Sequence, residues 1–358
     1  MNFDFNDEQR AIKEAAREML ASRYPLAEVR RLAEDERGFT DEQWAQLVEL
    51  GWPGIFVSEE LGGQGLGILE LVILQEELGY ALAPTPFFSN VCAGLVLQGA
   101  GDDGQRERWL RPLAAGEQRG TLAVQDEDGG DWLDETSLTA EDSKLTGTKI
   151  AVPDAASADF LIVGERDHPY LVDAGADGLT ITPTPGIDPT RKLYRVRLEG
   201  VEGEPLTGTG PEVARALDAI PTALAAESTG VAQRAMEMAV EYAKERKQFD
   251  RPIGAYQAVS HRCADMLLEV EGARSTTYYA AWALDHEPES GALAASMAKA
   301  YASEAGWRVT ASALQVHGGI GFTWEHDLHF FLKRAEANAH AFGEPRGHRA
   351  RVAQLTGL

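Results

Sequence analysis

Apolar positions in the last third of the chain recur with the period of an α-helix. From about Thr222 to Arg246, Leu224, Val231, Ala235, Met238, Ala239 and Tyr242 fall on one face. Lys244, Arg246 and Lys247 follow, where a helix end leaves carbonyls unpaired and its dipole is negative. Pro252 and Gly254 break the pattern. A second stripe, Val259, Cys263, Met266, Leu267, Val270, Ala273 and Trp282, predicts a helix from Tyr256 to Asp285. A third is expected from Gly291 to His317, stopped by Gly318 and Gly319, and a fourth from Asp327 to Phe342. Four such helices with short links predict an antiparallel bundle.

The first third is also helical in pattern. Residues 7 to 35 read as one amphipathic helix capped by Asn6 or Asp7, and Thr40 opens another that stops at Gly51. The stretch Ile68 to Leu82 is apolar all round and must be central, with Pro84 and Pro86 ending it. Further helix is expected at Asn90 to Gly99 and Arg106 to Leu113. The run GGQGLG at 62–67 lacks the lysine of a P-loop and follows no clear strand, so it reads as a turn. Near Gly120 short strands take over, among them TLAVQ at 121–125, LTGTKIAV at 145–152, DFLIVGE at 159–165 and YRVRLEGV at 194–201. The division expected is a helical domain at 1–118, a β-domain at 119–207 and a helical bundle at 208–358.

Composition narrows the partners. A formal net charge of −24 opposes nucleic acid and anionic membrane alike. A polyanionic ligand such as CoA needs a local positive patch for the same reason. Two cysteines, Cys92 and Cys263, lie in apolar helical surroundings and give no disulfide framework. The start MNFDFNDEQR lacks a signal pattern, and no apolar run approaches ~18 residues. A cytoplasmic protein without membrane contact is expected. The eight histidines form no metal-site spacing.

ERKQF at 245–249, Gln257 and QVHGGIGF at 315–322, in this order and spacing, resemble the C-terminal domain of acyl-CoA dehydrogenases. VSEELGGQGLG at 57–67 and EELGY at 76–80 extend the likeness to the N-terminal third. The resemblance implies a mostly α fold with a small, β-barrel-like middle domain and a C-terminal four-helix bundle. It also implies that Arg246, Gln248, Phe249, Gln257, Gln315, Gly318 and Gly319 contact the adenosine and pyrophosphate of FAD held mainly by a neighbouring subunit. Those residue types suit such contacts, since Arg presents a fixed fork of donors to phosphate and glycine lets backbone approach a dinucleotide closely.

The same resemblance exposes departures. Where the family has a flavin-holding motif close to TEPxAGSD, this chain reads QDEDGGDW at 125–132, with Asp126, Glu127 and Asp128 placed to repel a pyrophosphate. Ala151 and Pro153 stand where a Trp and a hydroxyl flank the flavin ring, and Asp250 follows Phe249 where glycine is usual. The reaction needs a carboxylate to take the α-proton of the acyl thioester while hydride leaves the β-carbon. The family's two places for that base hold Phe342, in AFG instead of YEG, and Ile220, followed by Pro221. Glu227, two turns beyond Ile220, is a weak substitute, and Asp218 precedes a proline break.

Intact partner-facing motifs beside a degenerate own site resemble the smaller, base-lacking subunit of actinobacterial α2β2 acyl-CoA dehydrogenases of steroid side-chain degradation. The expected role is completion of a catalytic partner's FAD site in 2,3-dehydrogenation of an acyl-CoA, with an electron-transfer acceptor downstream. The alternatives are a self-sufficient homo-oligomer with an unconventional base and a flavin-free scaffold of the same fold.

Overall fold

The computed structural model describes residues 5–127, 137–164, 169–208 and 211–358. Its helices are α1 (Asp7–Arg23), α2 (Leu26–Glu34), α3 (Asp41–Glu49), α4 (Ile68–Ala81), α5 (Phe87–Ala100), the short α6 (Asp103–Gln105) and α7 (Arg111–Ala114), then α8 (Pro211–Glu245), α9 (Gln257–His286), α10 (Pro288–His317), α11 (Leu328–His340) and α12 (Pro345–Thr356). The chain forms two compact units, each assembled from separated stretches. One comprises Met1–Arg31, Val72–Ala83 and Pro221–Leu358, the other Leu32–Leu71 and Pro84–Ile220.

The first unit is the helical one, and its seam is built of alanine. Ala225, Ala273, Ala280, Ala283, Ala294, Ala298, Ala302 and Ala305 form one buried cluster, flanked by Tyr279 and Trp282. Such small side chains allow close approach of α8, α9 and α10. Glycine does the same at Gly230, where a Cβ would lie 1.9 Å from the Glu76 carbonyl oxygen. Asn6 caps α1, accepting from the Gln9 N–H at 2.8 Å while the Gln9 side chain accepts from the Asn6 N–H. The single helix expected over residues 7–35 is two, because Pro25 cannot continue the ladder and keeps Tyr24 out of the helical region. The bundle's first helix also begins earlier than its apolar stripe: α8 runs from Pro211 straight through Pro221. Asp218, expected ahead of a break, is therefore a buried helical residue.

In the second unit α5 is almost wholly buried, and Asn90 on it accepts from the Gly120 N–H that starts the sheet region. Two four-stranded sheets follow. One has the order β1 (Gly120–Ala123), β4 (Phe160–Gly164), β5 (Pro169–Asp173), β8 (Glu204–Pro205), with β1 and β4 parallel. The other, antiparallel, has the order β2 (Thr139–Glu141), β3 (Lys144–Pro153), β7 (Leu193–Glu202), β6 (Leu179–Thr184). Alternation along β7 sends Tyr194, Val196 and Leu198 into a core shared with Leu145, Leu161 and Val172. The expected barrel-like domain is thus corrected to a pair of open sheets. One edge of each sheet, β8 and β2, is very short, and among the described residues the pairing does not continue into a closed ring.

Strand β3 slips register against β7 between Lys149 and Val152, and Ala151 at that bulge has φ 52°. An L-residue there carries a cost that glycine avoids. Ala151→Gly is expected to stabilise the chain by about 0.5–1 kcal/mol, read as a higher urea midpoint at unchanged slope. A lower midpoint would show that the Ala151 methyl group contributes packing that outweighs the strain.

Candidate functional site

The family motifs mark residues at three places along the last third of the chain, and the bundle brings them to one end. With α9 antiparallel to its neighbours, the end of α8, the start of α9 and the end of α10 share that end. Tyr242 on α8 stacks on His317 of α10 with ring centroids 4.5 Å apart. Arg246 leaves the end of α8 with its N–H bonded to Tyr242 O at 2.8 Å. A two-residue hairpin follows, β9 (Lys247–Gln248) paired with β10 (Arg251–Pro252), turned by Phe249 and Asp250. Both turn residues have positive φ, 53° and 63°. That conformation is the one a tight hairpin demands, and aspartate is among the few side chains that tolerate it, which accounts for Asp250 in a place where glycine is usual. Tyr256 braces the hairpin: its Oη donates to Gln248 O at 3.0 Å, and the Arg251 guanidinium lies 4.0 Å over its ring. Arg246, Gln248, Phe249 and Gln257 are all exposed.

Gln315 is exposed on the last turn of α10. Gly318 then takes φ 66° and ψ −140°, a combination closed to other residues. A Cβ on either Gly318 or Gly319 would meet no atom of this chain within 4 Å. The glycines therefore serve the turn and leave open backbone, rather than relieving a clash within the chain. His317 beneath them is buried, its Nδ1 hydrogen-bonded to Ala313 O at 2.8 Å, and burial lowers its pKa. Exposed Ile320, Phe322 and Trp324 follow in the chain. An arginine fork, three amide side chains and bare glycine backbone on a solvent-facing bundle end fit the phosphates and adenosine of a dinucleotide.

The two positions where the resemblance leads one to expect a base lie elsewhere. Ile220 is fully buried in α8. Phe342 has φ 53° in the turn after α11, and that turn is held from inside by a lysine that no sequence motif marks. Nζ of Lys299 on α10, fully buried, lies 2.9, 3.2 and 3.0 Å from Asn338 O, Ala339 O and Gly343 O and 3.0 Å from Ser303 Oγ, four acceptors that share its N–H donors. His348 Nε2 adds a 2.9 Å bond to Phe342 O. Lys299 and His317 are separated by about 27 Å of helix at the α-helical rise, so the Phe342 turn and the open glycines are separate sites on this chain.

Glu227, the weak substitute, is 1% exposed and bound by two side chains. Arg334 Nη1 bonds its Oε1, and Gln75 Nε2 donates to Oε2 at 3.0 Å. A carboxylate held as an ion pair in the core stands out of hydrogen-bond reach of a substrate.

The acidic stretch in the β-containing unit is less repulsive than its sequence implies. Asp126 Oδ1 receives Lys149 Nζ at 2.7 Å, and that lysine is fully buried and also donates to Val124 O. Burial opposes ionisation of Asp126, yet the bonds from Lys149 and the Ser137 N–H outweigh it and lower its pKa. Glu127 pairs with Arg195 at 2.5 Å. Asp128 and Trp132 lie outside the described residues. Among the described residues there is no cluster of metal-ligating side chains and no helix long and apolar enough to cross a membrane.

Comparison with known proteins shows the family. Models of the acyl-CoA dehydrogenase N-terminal and C-terminal domains match residues 6–117 and 213–355. The chain is 33% identical over 341 residues to acyl-CoA dehydrogenase IpdE2 of Mycobacterium tuberculosis, covering 95% of this chain and 94% of that protein. It is 32% identical to acyl-CoA dehydrogenase FadE27 of the same organism, covering 90% of each. Among solved structures, the ChsE4–ChsE5 complex from Mycobacterium tuberculosis matches with a TM-score of 0.90 and 28% identity, covering 100% of this chain and 99% of that one. A Tcur3481–Tcur3483 steroid acyl-CoA dehydrogenase variant matches equally well, at 0.90 and 29%, covering 98% of both. With matched models at both ends and near full-length relatives above 30% identity, the chain belongs to the acyl-CoA dehydrogenase family of FAD-dependent oxidoreductases.

Proposed function

We propose that this chain is one subunit of a heteromeric acyl-CoA dehydrogenase and completes the FAD site of a homologous partner. The observation that carries the reading is the contrast between its two halves. Arg246, Gln248, Gln257, Gln315 and Gly319 stand exposed at one end of the bundle beside the half-buried Gly318, while the expected base positions hold Ile220 and Phe342. Arg246 supplies a fixed cation for a pyrophosphate oxygen, the amides orient the adenosine side, and Phe249 covers it. Bound FAD supplies the hydride acceptor, with the partner's carboxylate taking the α-proton and a separate acceptor reoxidising the flavin. The product is the 2,3-enoyl-CoA. A steroid-derived acyl group is the substrate class suggested by the steroid enzyme among the similar structures, and an α2β2 assembly by the two-protein complex among them.

A second reading, a self-sufficient homo-oligomer, is favoured by one observation. Lys149 and Arg195 neutralise Asp126 and Glu127 in this chain's own flavin half. It needs a base other than Glu227.

The test is the visible absorption spectrum of the chain purified alone and co-expressed with a base-bearing homologue. Flavin is expected in the mixed complex only, and Arg246→Ala is expected to weaken FAD binding by about tenfold or more, the worth of a charge-assisted contact to phosphate. Flavin in the lone chain supports the homo-oligomer, and unchanged occupancy in the variant removes Arg246 from the site.

A further inference from the structure

The helical unit contains a cavity of about 290 Å³, far along α8 from the buried Ile220 and apart from the open glycines. The α1–α2 corner, the last turn of α4, α8 and α11 enclose it. Leu20, Leu26 and Phe331 make its walls mainly apolar. Its size is at the lower end of small-molecule sites.

The polar groups around it are unequally used. The carboxylate of Glu77 is spent: Lys13 pairs with Oε1 at 3.0 Å, and Arg17 binds both oxygens. Tyr80, with the Arg17 guanidinium 3.4 Å over its ring, donates its own hydroxyl to Glu237 at 2.5 Å. Two donors remain unspent. Tyr24, 3% exposed, is one of the residues lining the cavity, and its buried hydroxyl has no hydrogen-bond partner. Arg234 pairs with Glu237 at 3.9 Å and lies 5.6 Å from the Tyr80 ring, yet its N–H groups make no hydrogen bond and remain available as donors. A cavity with an aliphatic lining, spare donors and a fully engaged carboxylate calls for a ligand that brings an acceptor on an apolar body.

We propose that this cavity binds a small organic carboxylate with an aliphatic chain, its head group on Arg234 and the Tyr24 hydroxyl and its chain along Leu20, Leu26 and Phe331. Free carboxylate differs from the CoA thioester of the family reaction, so the site is one for a regulator or a hydrolysed product.

Thermal unfolding of the full chain with octanoate tests this, with octanamide as the uncharged control. Octanoate is expected to raise the midpoint saturably, and octanamide to act at least about tenfold more weakly, since it forfeits the charged contact. Arg234→Gln is expected to weaken octanoate by a similar factor. Tyr24→Phe, which removes a hydroxyl that is unpaired without ligand, is expected to leave the ligand-free midpoint unchanged or higher while lowering octanoate affinity a few-fold. No saturable shift, or a shift that both variants leave intact, overturns the assignment.

Discussion

Truncating Arg334 to alanine is expected to destabilise the chain by about 3–5 kcal/mol. Arg334 and Glu227 are 3% and 2% exposed at their side chains, and Gln75 supplies a further contact to Glu227. Neither charge has water to fall back on. Removing the guanidinium strands a carboxylate in an alanine-rich core, and the cost comes from that stranded charge rather than from loss of a favourable pair. The double variant Arg334→Met with Glu227→Leu is therefore expected to recover most of the loss, because an apolar pair of similar volume needs no compensation. Urea unfolding of both proteins checks this. A loss below about 1 kcal/mol for the single change would mean that water enters the site, which would restore Glu227 as a candidate proton acceptor. As the pair stands, Glu227→Gln is expected to lower stability first and turnover only as a consequence.

Lys299→Met is expected to cost about 3 kcal/mol, with a local signature. The methionine fills the space of the lysine stem but leaves the carbonyls of Asn338, Ala339 and Gly343 without Nζ. The turn that keeps Phe342 at φ 53° then loses its anchor to α10 and retains, among its bonds, that from His348 to Phe342 O. Faster hydrogen exchange confined to residues 341–348 would show release of that turn; uniform acceleration across the bundle would show general destabilisation and sink the local account. The pH dependence provides a second readout. Burial lowers the Lys299 pKa to about 7, well below its ordinary 10.5. Between those values the unfolded chain holds the proton and the folded chain has released it. Stability from this group therefore rises with pH across that window, and Lys299→Met is expected to flatten the rise.

The architecture is legible in the sequence because its signals are local and repeated. Helical periodicity places α9, α10 and α11 within a few residues, and a switch to short runs broken by Gly, Pro and Asp places the sheet region. Boundaries diverge at two prolines: Pro25 divides a helix expected to be continuous, whereas Pro221 lies inside one expected to start after it. A proline removes one donor in either place, and only the surrounding packing decides whether the ladder survives. The donor set at the bundle end follows from motif and order. Its openness does not, since exposure depends on which helices cover which faces.

Buried cations are the least legible feature. Lys149, Lys299 and Arg334 look like ordinary surface charges in sequence, and Asp126 and Glu127 look like unscreened repulsion until Lys149 and Arg195 are seen beside them. Residue order alone is enough for the helix and strand periods, the family motifs, and the lack of a carboxylate at Ile220 and Phe342. Which charges cancel, which glycines face open space and which carboxylate is locked in the core emerge only when the chain is folded. Those properties depend on distances between residues far apart in the chain, and a charge changes its meaning completely when water is replaced by a partner a few ångströms away.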